Sequence, residues 1–278
     1  MRRASTCLAV LGSLVVLGLP AAASAVAPTV TFKAKDVPIP KPGGGTYPHT
    51  GNILGAGTAL EANFVITGSG YGATPQNPNG GIPPLAQVNF FLPVGAKINA
   101  APFGKCSEAV LKNTGPSGCK ANTVASPKGN ALGEVTFGSE RVPEEASLQA
   151  FFGPSGLMFY VQGSSPVSLE FVSSGTYVNS GQPPYGLELK TLVPAIATVP
   201  GAALASTKNI NIKVGAAIKK GKKLIPYGTL PTKCPAGGFP LKAELIFGGS
   251  YGGEREFGIP AETVTVTYKS PCPPKGKK

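Results

Sequence analysis

Apolar and polar residues alternate one by one over much of this chain. Ile210, Ile212 and Val214 alternate with Asn209, Asn211 and Lys213, and Val264, Val266 and Tyr268 with Thr263, Thr265, Thr267 and Lys269. Leu60, Ala62, Phe64 and Ile66 are set against Glu61 and Asn63, as Leu241, Ala243, Leu245 and Phe247 are against Lys242 and Glu244. Successive side chains of a strand point to opposite faces. A period of two therefore predicts strands with one buried and one wet face, as in antiparallel sheets. Further strands are expected at 29–33, 87–92, 134–137, 147–152, 157–162, 168–172, 176–179 and 187–193. Turn residues separate them at the spacing of a sandwich or barrel. The 38 glycines and 29 prolines fall between apolar segments and act as that punctuation. One short helix is predicted near residues 108–112, with Ser107 to cap its start and Gly115 to follow its end. The expected fold is all-β: an extended antiparallel β-sandwich, jelly-roll-like or Ig-like. It would occupy residues 26–278 as one domain, with 234–278 a candidate semi-independent C-terminal lobe.

Residues 1–25 change the expected compartment. Arg2 and Arg3 precede an apolar run from Leu8 to Leu19, and Ala23-Ser24-Ala25 offers small residues at a cleavage position. This is the pattern of a Sec-type secretory signal peptide. The run is also short of the roughly 20 residues that span a bilayer. Cleavage would remove Cys7 and leave Cys106, Cys119, Cys234 and Cys272, an even set that an oxidising compartment would pair. Of three connectivities the sequence-local one is favoured, Cys106–Cys119 with Cys234–Cys272. Each bridge would close a modest loop worth roughly 3–4 kcal/mol. No C-x-x-C pair exists to begin a zinc site.

Candidate chemistry is sparse. The chain has one histidine, His49, in the Gly/Pro-rich segment 43–49, one aspartate, Asp36, and no tryptophan. A lone histidine lacks the oriented partners that base or metal chemistry needs. Gly248-Gly249-Ser250-Tyr251-Gly252 matches the G-x-S-x-G nucleophile pattern, but no helix is predicted after it and His49 lies upstream of it. It reads as a glycine-rich hairpin loop. Gly215 to Lys222 resembles a phosphate loop only superficially. The glycines are one residue too far apart, and Lys223 stands where a Ser or Thr should hold magnesium. The remaining enzymatic route is a glycosidase-type carboxylate pair drawn from Glu134, Glu140, Glu144, Glu145, Glu170, Glu188, Glu244, Glu254 and Glu256. Such a pair must converge in one cleft. No Asp-rich loop offers a calcium site, so the sequence implies neither metal nor cofactor.

Charge adds a binding hypothesis. The 25 basic residues fall to 23 without Arg2 and Arg3 and stand against 13 acidic ones, leaving +10. They gather at a hairpin tip formed by Lys219, Lys220, Lys222 and Lys223, and at the tail residues Lys275, Lys277 and Lys278. An exported protein so charged is drawn to anionic cell-wall polymer or a membrane surface. No groove-reading or aromatic element accompanies the charge, so nucleic acid is not an expected partner.

Two stretches carry a family resemblance. One runs from Leu92-Pro93-Val94-Gly95 through Phe103-Gly104-Lys105-Cys106-Ser107 to Gly115-Pro116-Ser117-Gly118-Cys119. The other joins Thr232-Lys233-Cys234-Pro235-Ala236-Gly237-Gly238-Phe239-Pro240 with Val264-Thr265-Val266-Thr267-Tyr268-Lys269-Ser270-Pro271-Cys272-Pro273. Together they resemble secreted, four-cysteine β-sandwich proteins of high-GC Gram-positive bacteria. The resemblance implies export and supports the cysteine pairing, and it brings no activity or site residue with it. The sequence therefore points to a secreted or envelope-associated, non-catalytic protein that binds a polyanionic wall polymer, a lipid surface or a protein partner. A carbohydrate-active enzyme using a Glu pair and a self-assembling surface protein are the alternatives.

Overall fold

The computed structural model describes residues 26–251 and 255–273. The export leader expected at 1–25, and the tail residues Lys275, Lys277 and Lys278, lie outside the described residues. Strands β1 (Val26–Val37), β2 (Gly57–Ser69), β3 (Leu85–Pro93) and the short β4 (Lys97–Ile98) precede helix α1 (Glu108–Thr114). There follow β5 (Gly129–Phe137), β6 (Glu140–Phe152), β7 (Gly156–Ser165), β8 (Leu169–Asn179) and β9 (Tyr185–Leu192), a meander in which each strand pairs with the next. Next come β10 (Ser206–Val214), the hairpin β11 (Ala217–Lys220) and β12 (Lys223–Pro226), and the short β13 (Gly228–Thr229). The chain closes with β14 (Phe239–Phe247), the hairpin β15 (Ser250–Tyr251) and β16 (Arg255–Glu256), and β17 (Glu262–Ser270).

The fold is all-β, antiparallel and sandwich-like, with one short α-helix. Thirteen strands form one sheet in the order β17-β14-β3-β9-β8-β7-β6-β5-β10-β2-β13-β4, with β1 also paired to β2. This sheet doubles over until β1 lies beside β17. There the rings of Phe32 and Tyr268 are 6.1 Å apart, and Ser270 Oγ donates to Asp36 Oδ2 at 3.3 Å. The segment 234–278 supplies β14 and β17, and the ladder between β14 and β3 makes them continuous with the rest of the sheet.

Strand parity separates inside from outside as the alternation requires. Phe32 and Ala34 of β1, Ala62, Phe64 and Ile66 of β2, and Leu241, Ala243, Leu245 and Phe247 of β14 meet in one inward cluster. Leu148, Ala150 and Phe152 of β6, Leu157 and Val161 of β7, Leu189 of β9 and Ile212 of β10 form a second. The intervening residues, such as Lys33, Lys35, Asn63, Thr265 and Thr267, face outward. No helix is long and apolar enough to cross a membrane among the described residues.

One outward patch is apolar and is covered. Phe151, Met158, Tyr160 and Val172 lie under α1, which contributes the fully buried Leu111. The helix starts where expected, with Ser107 Oγ accepting from the Val110 N–H at 3.3 Å, and ends at Gly115, where φ is +63°. Cys106 and Cys119 are bridged across it, with Cα atoms 5.6 Å apart. Cys234 and Cys272 form the second disulfide at the β14–β17 end, with Cα atoms 5.9 Å apart. Both pairs are the sequence-local ones.

Candidate functional site

The doubled sheet is not filled. A cavity of about 230 Å³ runs inside it, walled by apolar side chains of β2, β3, β6 to β10 and β14. It exists because several inward positions are small: Ala62, Ala131, Ser173 and Thr191 all line it. Larger residues close one end and narrow the other. Ile66, Ile82 and Phe247 are buried at one. At the other, Phe103, Phe152 and Tyr227 cluster with ring centroids 4.4 to 5.5 Å apart. Protein interiors rarely contain voids larger than a water molecule.

Four ionisable side chains line the cavity: Asp36, Lys97, Tyr177 and Tyr227. Lys97 is also exposed, so the cavity reaches the surface beside it, at the end where β4 and β13 pair. Asp36 follows Phe32 and Ala34 on the inward face of β1. Burial pushes its carboxyl up to about 6, offset in part by the Ser270 hydroxyl. Burial likewise raises Tyr177 well above the usual phenol value and Tyr227 to about 12, so both are neutral donors at any physiological pH. Tyr227 is 2% exposed and, among the described residues, its Oη has no partner at strict hydrogen-bonding geometry. The two phenols are nonetheless near enough to influence each other's protonation.

The residues singled out in the sequence fall elsewhere. Lys219, Lys220, Lys222 and Lys223 are exposed on the β11–β12 hairpin, with Gly221 at φ +62° in its turn. None of the four pairs with a carboxylate among the described residues. The hairpin is rooted at the cavity's open end, where the Tyr227 N–H donates to the Ala216 carbonyl and Gly215 lines the cavity. His49 is exposed in its loop, at φ +56°. Ser250 begins the two-residue strand β15, which turns back into β16, so the G-x-S-x-G match occupies a hairpin whose Gly252 is outside the described residues.

The glutamates are largely committed to structural partners. Glu134 Oε2 accepts from the Ile82 N–H at 3.2 Å, and its Oε1 pairs with Lys208 at 2.9 Å. Glu144, buried, accepts from the N–H groups of Ser165 at 3.3 Å and Val167 at 3.0 Å. Glu170 accepts from Gln162 at 2.8 Å, and Glu140 and Glu145 are exposed. Glu254 lies outside the described residues. Glu188 and Glu244 do approach one another on the outer sheet face, where burial raises the Glu188 carboxyl, Lys190 lowers it and Glu244 raises it further. Each holds a lysine: Lys190 lies 3.8 Å from Glu188, and Lys242 lies 2.7 Å from Glu244. Lys242 is held over the Phe91 ring at 3.8 Å and donates to Gln182 at 2.6 Å. The cluster is a charge-balanced network between β9, β3 and β14. Among the described residues, no three His, Cys, Asp or Glu side chains gather as a metal would require.

Sequence reasoning missed the cavity and its polar residues Asp36, Tyr177 and Tyr227. For Asp36 a signal was present, since it continues the inward parity of Phe32 and Ala34. Comparison of the chain with protein-family models, with curated proteins and with solved structures found no match.

Proposed function

We propose that this chain is an exported, non-catalytic binding protein that holds one small apolar molecule inside its doubled sheet. The observation that carries the reading is the cavity: about 230 Å³, walled by aliphatic and aromatic side chains and open beside Lys97. Binding sites for small molecules are concave, mostly apolar and largely preformed, with few polar groups. A ligand that fills the void recovers the contacts its lining lacks. The two disulfides are compatible with an extracellular location, in line with the leader pattern in the sequence. The committed glutamates favour binding over hydrolysis. N-phenyl-1-naphthylamine, a neutral apolar dye that fluoresces out of water, tests this directly. Titrated into the oxidised protein lacking residues 1–25, it is expected to saturate at one dye per chain, and unsaturable or absent fluorescence would remove the reading.

The basic hairpin supports a second, compatible role. Four exposed lysines without carboxylate partners among the described residues project from the end where the cavity opens, and such a patch attracts anionic surfaces over about a Debye length. The protein is expected to co-sediment with phosphatidylglycerol vesicles at low salt and to be released as salt rises. Replacing all four lysines by glutamine should abolish that binding while the dye still binds. Equal sedimentation with neutral phosphatidylcholine vesicles would show that charge is not the cause.

A further inference from the structure

The cavity is long, and a second void continues it. This chamber measures about 60 Å³, and Leu85, Ala131, Val161, Phe171, Val193 and Thr207 border both spaces. Strand register places it far from the mouth. Leu85 begins β3 and Pro93 ends it, while Thr207 stands at the start of β10 and Val214 at its end. Leu85 and Thr207 border the chamber, whereas Pro93, Val214 and Lys97 line the main cavity alone. Chamber and mouth thus lie at opposite ends of the same strands. A strand advances about 3.3 Å per residue, so the nine residues of β3 carry the lining over roughly 25 Å.

That shape selects among apolar molecules. A compact one fills the main cavity and leaves the far chamber empty, whereas a chain lying along the strands gains contacts in both. The chamber suits the end of such a chain, being walled by Val135, Leu169, Pro194 and Ile196. Of the polar side chains there, Glu144 accepts from the N–H groups of Ser165 and Val167. Ser206 donates to the Ile82 carbonyl and accepts from Arg141 at 2.6 Å. Both are engaged within the wall. A polar head would lose its hydration inside, but it keeps it at the mouth, where Lys97 is exposed. We propose that the ligand is a single-chain amphiphile, its unbranched hydrocarbon chain lying along the strands with the methyl end in the far chamber and the head at the mouth. The proposal rests on the interior-binding reading and specifies the ligand's shape and direction.

Competition against bound N-phenyl-1-naphthylamine tests it, using straight-chain fatty acids from octanoate to octadecanoate below their micellar concentrations. The head is the same throughout, so differences in affinity report the chain. Affinity is expected to rise along the whole series, by about fourfold for each fully buried methylene. The isomer 2-hexyldecanoate, equal to hexadecanoate in composition but shorter in reach, should bind at least about tenfold more weakly. Ala205 borders the far chamber, and Ala205→Phe should abolish the gain beyond tetradecanoate while octanoate and dye bind as before. Ala146→Phe, which enters the chamber from β6, should do the same. Retained dye and octanoate binding shows that each variant is folded. A gain that stops at octanoate, or an isomer that binds as tightly as hexadecanoate, would overturn the proposal and leave interior binding intact. So would a long-chain gain that survives both substitutions. If the dye itself does not bind, the interior-binding reading and this proposal fall together.

Discussion

Replacing Asp36 by asparagine is expected to stabilise the ligand-free protein at pH 8 by about 3 kcal/mol and to change little at pH 4. The carboxyl faces the apolar interior with Ser270 as its hydroxyl partner among the described residues, and burial lifts it from 3.8 to about 6. A tenfold change in proton affinity is worth about 1.4 kcal/mol, so a rise of that size makes the ionised carboxylate cost about 3 kcal/mol in the folded state. The folded state keeps the proton more tightly than the unfolded chain. Between about pH 4 and 6 it therefore binds more protons, and stability falls as pH rises through that window. Below it Asp36 is neutral in both states and resembles asparagine. Above it the folded protein carries a buried charge that asparagine lacks. Urea unfolding at pH 4, 6 and 8 reads the effect as a loss of the wild-type slope in the variant. Parallel slopes for the two proteins would show that Asp36 is not buried as a lone carboxyl. A buried lone carboxyl that costs stability is a feature typical of binding sites.

The parts of this molecule that were legible in its sequence are those set by local parity. Leu241, Ala243, Leu245 and Phe247 point inward because successive residues of a strand must alternate, and the helix at Glu108 was signalled by Ser107 and Gly115 on either side. The disulfides were legible because both pairs are close in sequence. Strand partners were not. β3 lies between β9 and β14, and β1 comes to lie beside β17, through contacts that no local pattern encodes. The cavity was hidden for the same reason, since it is the volume left over by Ala62, Ala131, Ser173 and Thr191 from four different strands. Asp36 was nearer to view. The strand expected at 29–33 in fact runs on to Val37, and its continued alternation turns the carboxyl inward. Tyr227 lies outside every strand that the sequence predicted, and its role depends on the end of the sheet at which it arrives.

Filling the cavity should set stability and binding against one another, and Ala131→Phe is the substitution to do it. Ala131 lies in β5, opposite Ile210 on one neighbouring strand and Ala146 on the other, and its methyl group borders the void. A phenyl ring there would occupy space that holds no protein atoms, so it gains dispersion contacts without displacing a packed neighbour. A gain of about 1 kcal/mol is expected, the usual yield of cavity-filling substitutions, and dye affinity should fall by about tenfold or more as the ring takes the ligand's place. An overpacked core would instead lose about 1–3 kcal/mol, which would mean that the cavity is narrower at β5 than its lining implies. Unchanged affinity in a stabilised variant would place the dye outside the sheet. The two readouts together separate a space the fold merely tolerates from one that is kept open. Only in the latter case does the same ring that strengthens the protein remove its function, and this is the outcome expected of a chain that leaves about 230 Å³ of its own core unfilled.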